Sequence, residues 1–197
     1  MVSEIRIYVE GDPALRQGFH SFFEELRELA RRKNVRWNVI TCGARNFTYE
    51  VFKTALKTHP DAFNVLLVDA EEVVDSDPWE HLRRRDGWSS EGCDDEQCHL
   101  MVQTMEAWFM ADIEALKRYY KQGFQEGALP KNPQVEQLSK NDLNERLKRA
   151  TQHTQKRAYH KTRHAPHILA QIDVANVCQA APHCNRLFTT LRAKLQT

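Results

Sequence analysis

The sequence predicts an α/β fold in which a small parallel sheet is flanked by helices and followed by a helical C-terminal extension. Two short apolar runs, IRIYV and FNVLLV, have the continuous hydrophobic composition of parallel strands buried on both faces. A third β-type run and two amphipathic segments lie between them. This strand–helix–strand–helix–strand order predicts parallel pairing through right-handed crossovers.

The N-terminal elements follow one another with short connections. Asp12 precedes Pro13 directly, which is a preferred order at the start of a helix. The apolar residues after it recur at spacings of three and four, which indicates an amphipathic helix. Gly43 marks the turn after the second strand, and His59 and Pro60 close the second helix. The predicted strands cover 4–9, 35–41 and 65–68, and the predicted helices cover 13–33 and about 47–59.

The second half of the chain has longer connections and more helix. Residues 73–98 are rich in acidic side chains and contain a proline and two glycines, which predicts a long excursion or lid. The apolar spacing from His99 to Tyr120 predicts one strong helix. We therefore expect an α/β core over 1–125, which includes the excursion, and a helical extension over 126–197 packed on it. Helices of the extension are expected near 141–151, 165–179 and 183–195.

The charge of the chain is nearly balanced. It carries 28 basic and 27 acidic residues, so any contact with nucleic acid must come from a local patch. The segment 148–167 offers one, with six Lys or Arg side chains and four histidines. No apolar stretch approaches the roughly 18 residues that a membrane span needs. Five cysteines, and a strand so near the N-terminus that no secretory signal fits before it, predict reduced thiols in the cytoplasm.

Carboxylates stand at the ends of both apolar runs: Glu10 follows the first strand and Asp69 follows FNVLLV. The carboxyl ends of parallel strands meet at one edge of a sheet, where α/β proteins bind their ligands. Alternation along an extended run places Glu71 on the same side as Asp69. Oxygen ligands of this kind suit Mg²⁺ or Mn²⁺. The alternative is that these acids are solvated or cap the helices that follow.

These residues resemble a TOPRIM domain. A strand ending in Glu-Gly at Glu10, then a helix, then a later strand with acids at Asp69 and Glu71, is similar to the pattern of type IA topoisomerases, DnaG-type primases and OLD-family nucleases. The resemblance implies a Rossmann-like sheet that holds a divalent metal between the first glutamate and the later acids. Here the second motif is Asp-Ala-Glu instead of Asp-x-Asp, and glutamate reaches one methylene further.

A resemblance that covers nearly the whole chain is carried by IYVEG, LLVDAEE, MVQTMEAWFMAD and YHKTRHAPHIL. These motifs are similar to a bacterial TOPRIM-like family, the domain of unknown function DUF4276. The resemblance implies a small partner of an AAA- or ABC-type ATPase, often in phage defence. It also implies a role for Lys161, because the Tyr-x-Lys pattern falls at Tyr159 and Lys161. That lysine would bind the scissile phosphate or stabilise its charge in the transition state.

Several further side chains are candidates for support. Glu72 is near enough in sequence to the strand-end acids to help hold a second ion. Glu106 lies among apolar residues, where it either points into the acidic site or pairs with a cation. Arg163 and His164 would grip flanking phosphates, with an ordinary solvated helix face as the alternative.

A zinc site is not favoured by the sequence. The Cys and His residues near 93–99 and 178–184 are spaced more loosely than the ligand pairs of a structural zinc site, and most of the second half of the chain separates them. No Walker A sequence is present, so any ATPase activity belongs to a partner.

The sequence therefore predicts a Mg²⁺- or Mn²⁺-dependent nuclease in which the three strand-end acids hold the metal and Lys161 stabilises charge on the phosphate. It would act as the effector of an ATPase that delivers DNA or RNA. One alternative is a non-catalytic TOPRIM-like subunit of an ATPase complex, with Trp79 and Trp88 in the interface. Another is hydrolysis of nucleotides or other small phosphoesters. The sequence leaves open whether the chain forms a homo-oligomer.

Overall fold

The computed structural model describes residues 2–196 and contains a four-stranded parallel sheet. Its strands are β1 (Glu4–Val9), β2 (Arg36–Thr41), β3 (Phe63–Asp69) and β4 (Cys98–Met101). The strand order is β2-β1-β3-β4, so β1 and β3 are central and β2 and β4 form the edges. The carboxyl ends of all four strands therefore lie at the same edge of the sheet.

Helices cover both faces of this sheet. They are α1 (Leu15–Phe22), α2 (Glu24–Arg32), α3 (Arg45–Thr58), α4 (Pro78–Asp86), α5 (Ile113–Tyr120), α6 (Lys140–Thr151), α7 (Lys161–Leu169), α8 (Val174–Ala180) and α9 (Pro182–Gln196). Short 3₁₀ turns lie at Asp95–Gln97, Met105–Ala111, Glu126–Ala128 and Val135–Gln137.

The two faces of the sheet pack into separate hydrophobic cores. On one face, Ile7 of β1 lies in a core with Phe19 of α1 and Phe188 of α9. On the other face, its neighbour Tyr8 lies in a core with Phe52 of α3. Because successive strand residues serve opposite cores, a central strand needs apolar side chains at nearly every position. This explains the continuous run of β3, which is buried along its whole length.

The predicted α/β class is confirmed, and all three predicted strands are present. The helix predicted over 13–33 is instead two helices, α1 and α2, which meet at Phe23. Phe23 is fully buried, and its backbone has ψ near 15° instead of a helical value. The burial of this aromatic ring in the core accompanies the break between the two helices.

The single helix predicted from His99 to Tyr120 is wrong. Cys98–Met101 form β4, a 3₁₀ turn follows over Met105–Ala111, and only Ile113–Tyr120 are α-helical. A short apolar run fits a buried strand as well as a helix. Here β4 forms hydrogen bonds with the backbone groups along the open side of β3. A helix at this place would bond only within itself and would leave those groups of β3 without partners.

The excursion over 73–98 is not a free lid. It contains α4, and Trp79 of that helix is only 6% exposed. Trp88 is equally buried and stacks on Tyr49 of α3, with 4.5 Å between the ring centroids. Both tryptophans belong to the second core. They therefore do not form the exposed interface that the non-catalytic alternative assigned to them.

The C-terminal helices pack against the N-terminal half of the chain. Leu147 of α6 and Ile168 of α7 lie in the same core as β1. A close approach joins α1 to α7, where Gly18 faces Pro166. A domain division near residue 125 stays a prediction. None of the helices within residues 2–196 is long and apolar enough to cross a membrane.

Gly18→Ala is expected to destabilise the fold, although alanine is the better helix former. A Cβ at Gly18 would lie 2.7 Å from the carbonyl oxygen of Pro166 and 3.0 Å from its Cα, and backbone atoms cannot move aside cheaply. We expect the free energy of unfolding to fall by about 1–3 kcal/mol in urea titrations. Gly127→Ala is the matched control, because its Cβ would meet nothing within 4 Å. Equal stability of the two variants would contradict this packing.

Candidate metal centre

Parallel pairing brings the acids predicted from the strand ends together. The backbone N–H of Glu10 donates to the carbonyl oxygen of Leu67 at 3.0 Å, which continues the β1–β3 ladder by one residue. The backbone N–H of Asp69 in turn donates to Oε2 of Glu10 at 3.3 Å. The register of two neighbouring strands therefore fixes how close these two acids lie.

Glu71 completes the cluster by a different route from the one predicted. One carboxylate oxygen from each of Glu10, Asp69 and Glu71 lies within 4.8 Å of the others. However, β3 ends at Asp69, and Glu71 has a left-handed backbone with φ of 71°, which non-glycine residues rarely adopt. Its N–H donates to the carbonyl oxygen of Gln103 at 2.7 Å. The turn of the chain, and not alternation along an extended strand, brings Glu71 into the cluster.

Asp69 is held firmly at the centre of the cluster. It is 2% exposed, and its Oδ1 accepts a hydrogen bond from the backbone N–H of Met105 at 2.8 Å. Its Oδ2 lies 3.2 Å from Oγ1 of Thr104 and 3.2 Å from Nζ of Lys161. Burial and these contacts restrict the carboxylate to one orientation, with its charge compensated by a lysine.

Glu106 pairs with a cation, which is one of the two alternatives left open by the sequence. It is 1% exposed, and its Oε2 accepts from Nζ of Lys161 at 3.3 Å. Oγ1 of Thr104 lies 2.6 Å from the same Oε2, and the hydroxyl of Tyr159 donates to Oε1 at 2.9 Å. Lys161 therefore bridges Glu106 and Asp69, so that the predicted lysine lies at the acid cluster.

The environment perturbs both Lys161 and Tyr159. Burial alone would lower the pKa of Lys161, but the carboxylates of Asp69 and Glu106 outweigh it and raise the pKa above its usual value. Lys161 is therefore a permanent cation at neutral pH. Burial, reinforced by the negative charge of Glu106, raises the pKa of Tyr159, which keeps its phenol protonated as a hydrogen-bond donor.

Arg45 is a second cation at the cluster, and it was not among the residues predicted from the sequence. Its Nη1 donates to Oε2 of Glu10 at 3.1 Å. Its Nε and Nη2 donate to the two oxygens of Asp86 at 2.9 and 2.7 Å, and its guanidinium lies 5.0 Å from the ring centroid of Trp88. Arg45 is the first residue of α3, four residues after β2 ends at Thr41, so the convergence of parallel strand ends was the signal that could have identified it.

Lys140 is a third cation, from the first turn of α6. Its Nζ makes a salt bridge to Oε1 of Glu71 and lies 3.9 Å from Oδ2 of Asp69. No local pattern marks this residue, because Lys140 is 69 residues away from Glu71 in the sequence. Only the packing of α6 against the core brings it to the site.

Negative charge remains in excess at the cluster. Four carboxylates, from Glu10, Asp69, Glu71 and Glu106, face three cations, one of which is shared with Asp86. Burial raises the pKa of Glu10, and the charge of Asp69 raises it further, while Arg45 opposes both effects. A divalent cation would relieve this repulsion. The donor set, all hard carboxylate oxygens, suits Mg²⁺ or Mn²⁺.

The other predicted side chains lie away from the cluster. Glu72 is exposed and lines a separate small cavity with Asp75 and other residues. His164 is 2% exposed, and its Nδ1 accepts from the backbone N–H of His160 at 2.9 Å, so it closes the start of α7 instead of facing solvent. Arg163 is exposed, and helix geometry places it about 200° around α7 from Lys161.

Comparison with known proteins identifies a family and a fold. The family model described as "Domain of unknown function (DUF4276)" matches residues 14–192, so the chain belongs to this family. Among solved structures, the chain is similar to the C-terminal region of the Burkholderia pseudomallei OLD protein. The TM-score is 0.54 and the identity 18%, with 99% of each chain covered. No curated protein matches the chain.

Tyr159→Phe is expected to lower the free energy of unfolding by about 1–2 kcal/mol, because Oε1 of buried Glu106 loses the donor that satisfies it. The measurement is chemical denaturation. Tyr119→Phe is the matched control, since Tyr119 is only partly buried and its hydroxyl makes no hydrogen bond with any residue that the structure describes. If both variants lost the same stability, the Tyr159–Glu106 bond would not be the cause.

Proposed function

We propose that this member of the DUF4276 family is a divalent-metal-dependent nuclease that hydrolyses phosphodiester bonds. Glu10, Asp69 and Glu71 would hold Mg²⁺ or Mn²⁺. The observation that carries the proposal is the convergence of these three carboxylates with two lysines, Lys140 and Lys161, at the carboxyl edge of the sheet. This is a site with ligands for a cation and, beside them, positive charge for a phosphate.

The parts of the site have separable tasks. A bound ion would neutralise the non-bridging oxygens of the phosphate and activate water. Asp69 is oriented by the N–H of Met105, so its carboxylate is in place before any ion arrives. Lys161 carries a fixed charge beside Asp69, where it would stabilise the negative charge that develops on the phosphate. Glu106 accepts a hydrogen bond from that lysine, and Tyr159 donates to Glu106, so the two residues keep Lys161 in position.

The proposal extends to a partner and a setting. The similar solved structure reported above is the C-terminal region of a larger protein, which supports the idea that the fold works beside another domain or subunit. We propose an AAA- or ABC-type ATPase as that partner, with the nuclease as its effector in bacterial phage defence or DNA processing. A formal charge of +1 favours weak capture of nucleic acid alone and delivery by the partner. The five free cysteines fit a reducing cytoplasm.

One observation supports the non-catalytic alternative. Arg45, Lys140 and Lys161 already compensate much of the charge of the acid cluster, as they would in a purely structural network of ion pairs. Such a network would hold the strand ends together without binding an ion. A cleavage assay distinguishes the nuclease from the non-catalytic subunit.

Lys161→Gln is expected to slow cleavage by roughly 10²–10³-fold, because it removes charge at the phosphate. The measurement is cleavage of labelled DNA and RNA panels with Mn²⁺, with and without the ATPase partner. Arg163→Gln, on the same helix but directed away from the cluster, should change the rate by far less. Thermal unfolding of both variants checks that the fold is retained.

The outcomes of this assay differ for the two functions. Cleavage by the wild type that Lys161→Gln suppresses selects the nuclease. Absence of cleavage of any polymer with the partner present, by a protein that still binds Mn²⁺, contradicts the nuclease and favours the interaction subunit. Activity on mononucleotides but not on polymers selects a small phosphoesterase.

A further inference from the structure

A groove of about 590 Å³ opens directly beside the acid cluster, between α6 and the start of α7. Three of its lining residues, Glu106, Lys140 and Lys161, also belong to the cluster. A ligand lying in this groove would therefore reach the proposed metal centre with one end. Nothing in the cluster itself accounts for the rest of the groove, which continues along α6.

One stripe of α6 forms a wall of the groove. Lys140, Asn144 and Lys148 all line it, and their spacing of four residues places them on the same side of the helix. At a rise of 1.5 Å per residue, the stripe is about 12 Å long. Lys140 lies at the end near the acid cluster, and Lys148 lies at the far end.

Lys148 differs from the other two lysines of the groove because no ion pair within residues 2–196 explains its position. Lys140 and Lys161 each pair with carboxylates of the cluster. Lys148 is exposed and pairs with no acid among residues 2–196. The wall therefore ends in a free cation, separated from the metal centre by the amide of Asn144. Cations and amides in a row are the side chains that contact the phosphates and sugars of a nucleic-acid strand.

The dimensions favour one strand over two. The stripe of about 12 Å is long enough to contact only a few phosphates of one strand. The volume of the groove falls in the range of about 300–1,000 Å³ that is typical of small-ligand pockets. A duplex would have to remain on the outer surface, whereas one strand can enter and track the lysines.

We infer that this groove binds the backbone of single-stranded nucleic acid on one side of the scissile phosphate, with Lys148 and Asn144 as positioning residues. This inference rests on the proposed nuclease function and adds the form of the substrate and its path. Glu145 also lines the groove, and its carboxylate opposes a phosphate there. Apart from the residues of the acid cluster, the groove is therefore lined by two charged side chains, Lys148 and Glu145, whose removal must change strand binding in opposite directions.

The test is binding of a fluorescent single-stranded oligonucleotide in EDTA, followed by anisotropy over a series of salt concentrations. Lys148→Gln should weaken binding and reduce the slope of log K against log salt by about 0.7, the loss of one phosphate contact to a single strand. Glu145→Gln should tighten binding. Lys57→Gln is the matched control: Lys57 is likewise exposed in the last turn of its helix, α3, on the opposite face of the sheet.

Each result bears on the inference separately from the nuclease. If Lys148→Gln and Lys57→Gln have equal effects, or Glu145→Gln weakens binding, the groove is not the path of the strand. Duplex of the same sequence that binds as tightly, with the same dependence on Lys148, overturns the single-strand assignment. If the protein binds the strand through Lys148 but never cleaves it, the groove inference stands and the nuclease proposal is wrong. If Lys148→Gln and Glu145→Gln both cleave at the wild-type rate, the nuclease proposal stands and the groove inference is wrong.

Discussion

The carboxylate of Asp69 is the point on which the site depends. It ends the central, fully buried strand β3. Its oxygens accept from the N–H of Met105 and the ammonium of Lys161 and lie within 3.2 Å of the hydroxyl of Thr104. These contacts come from the connection after β4 and from α7, so one side chain joins the sheet to the C-terminal helices. A buried carboxylate without such partners would be costly. Because Lys161 begins α7, the packing of α7 on Gly18 helps to position the lysine at Asp69.

The sequence predicts the central strands and the acids at their ends, but few of the site residues that the other elements contribute. Continuous apolar runs identify central strands because both faces are buried, and the parallel order then brings Glu10 and Asp69 to one edge. The sequence does not identify β4, because a four-residue apolar run is equally compatible with a helix. Without β4, the roles of Thr104 and Met105 at Asp69 could not be foreseen. Lys140 had no local signal, since only tertiary packing brings α6 to Glu71.

The cations at the site compensate the charge of the carboxylates only in part. Arg45, Lys140 and Lys161 stabilise a group of carboxylates that would otherwise repel one another, yet the pKa of Glu10 remains raised by burial and by Asp69. An ion would complete this compensation and leave the lysines available to a phosphate. The same lysines form the near end of the groove along α6. Metal binding and strand binding would therefore draw on one set of side chains, which couples the two events.

The affinity for Mn²⁺ is the most direct test of whether the carboxylates at the strand ends hold a divalent ion. Isothermal titration of the wild type, Glu10→Gln and Asp61→Asn compares an acid of the cluster with an exposed acid in the turn before β3. We expect the wild type and Asp61→Asn to bind Mn²⁺ equally and Glu10→Gln to bind at least about tenfold more weakly, a loss of about 1.4 kcal/mol. Equal affinity of Glu10→Gln and the wild type, or no binding by any of the three, would contradict this expectation.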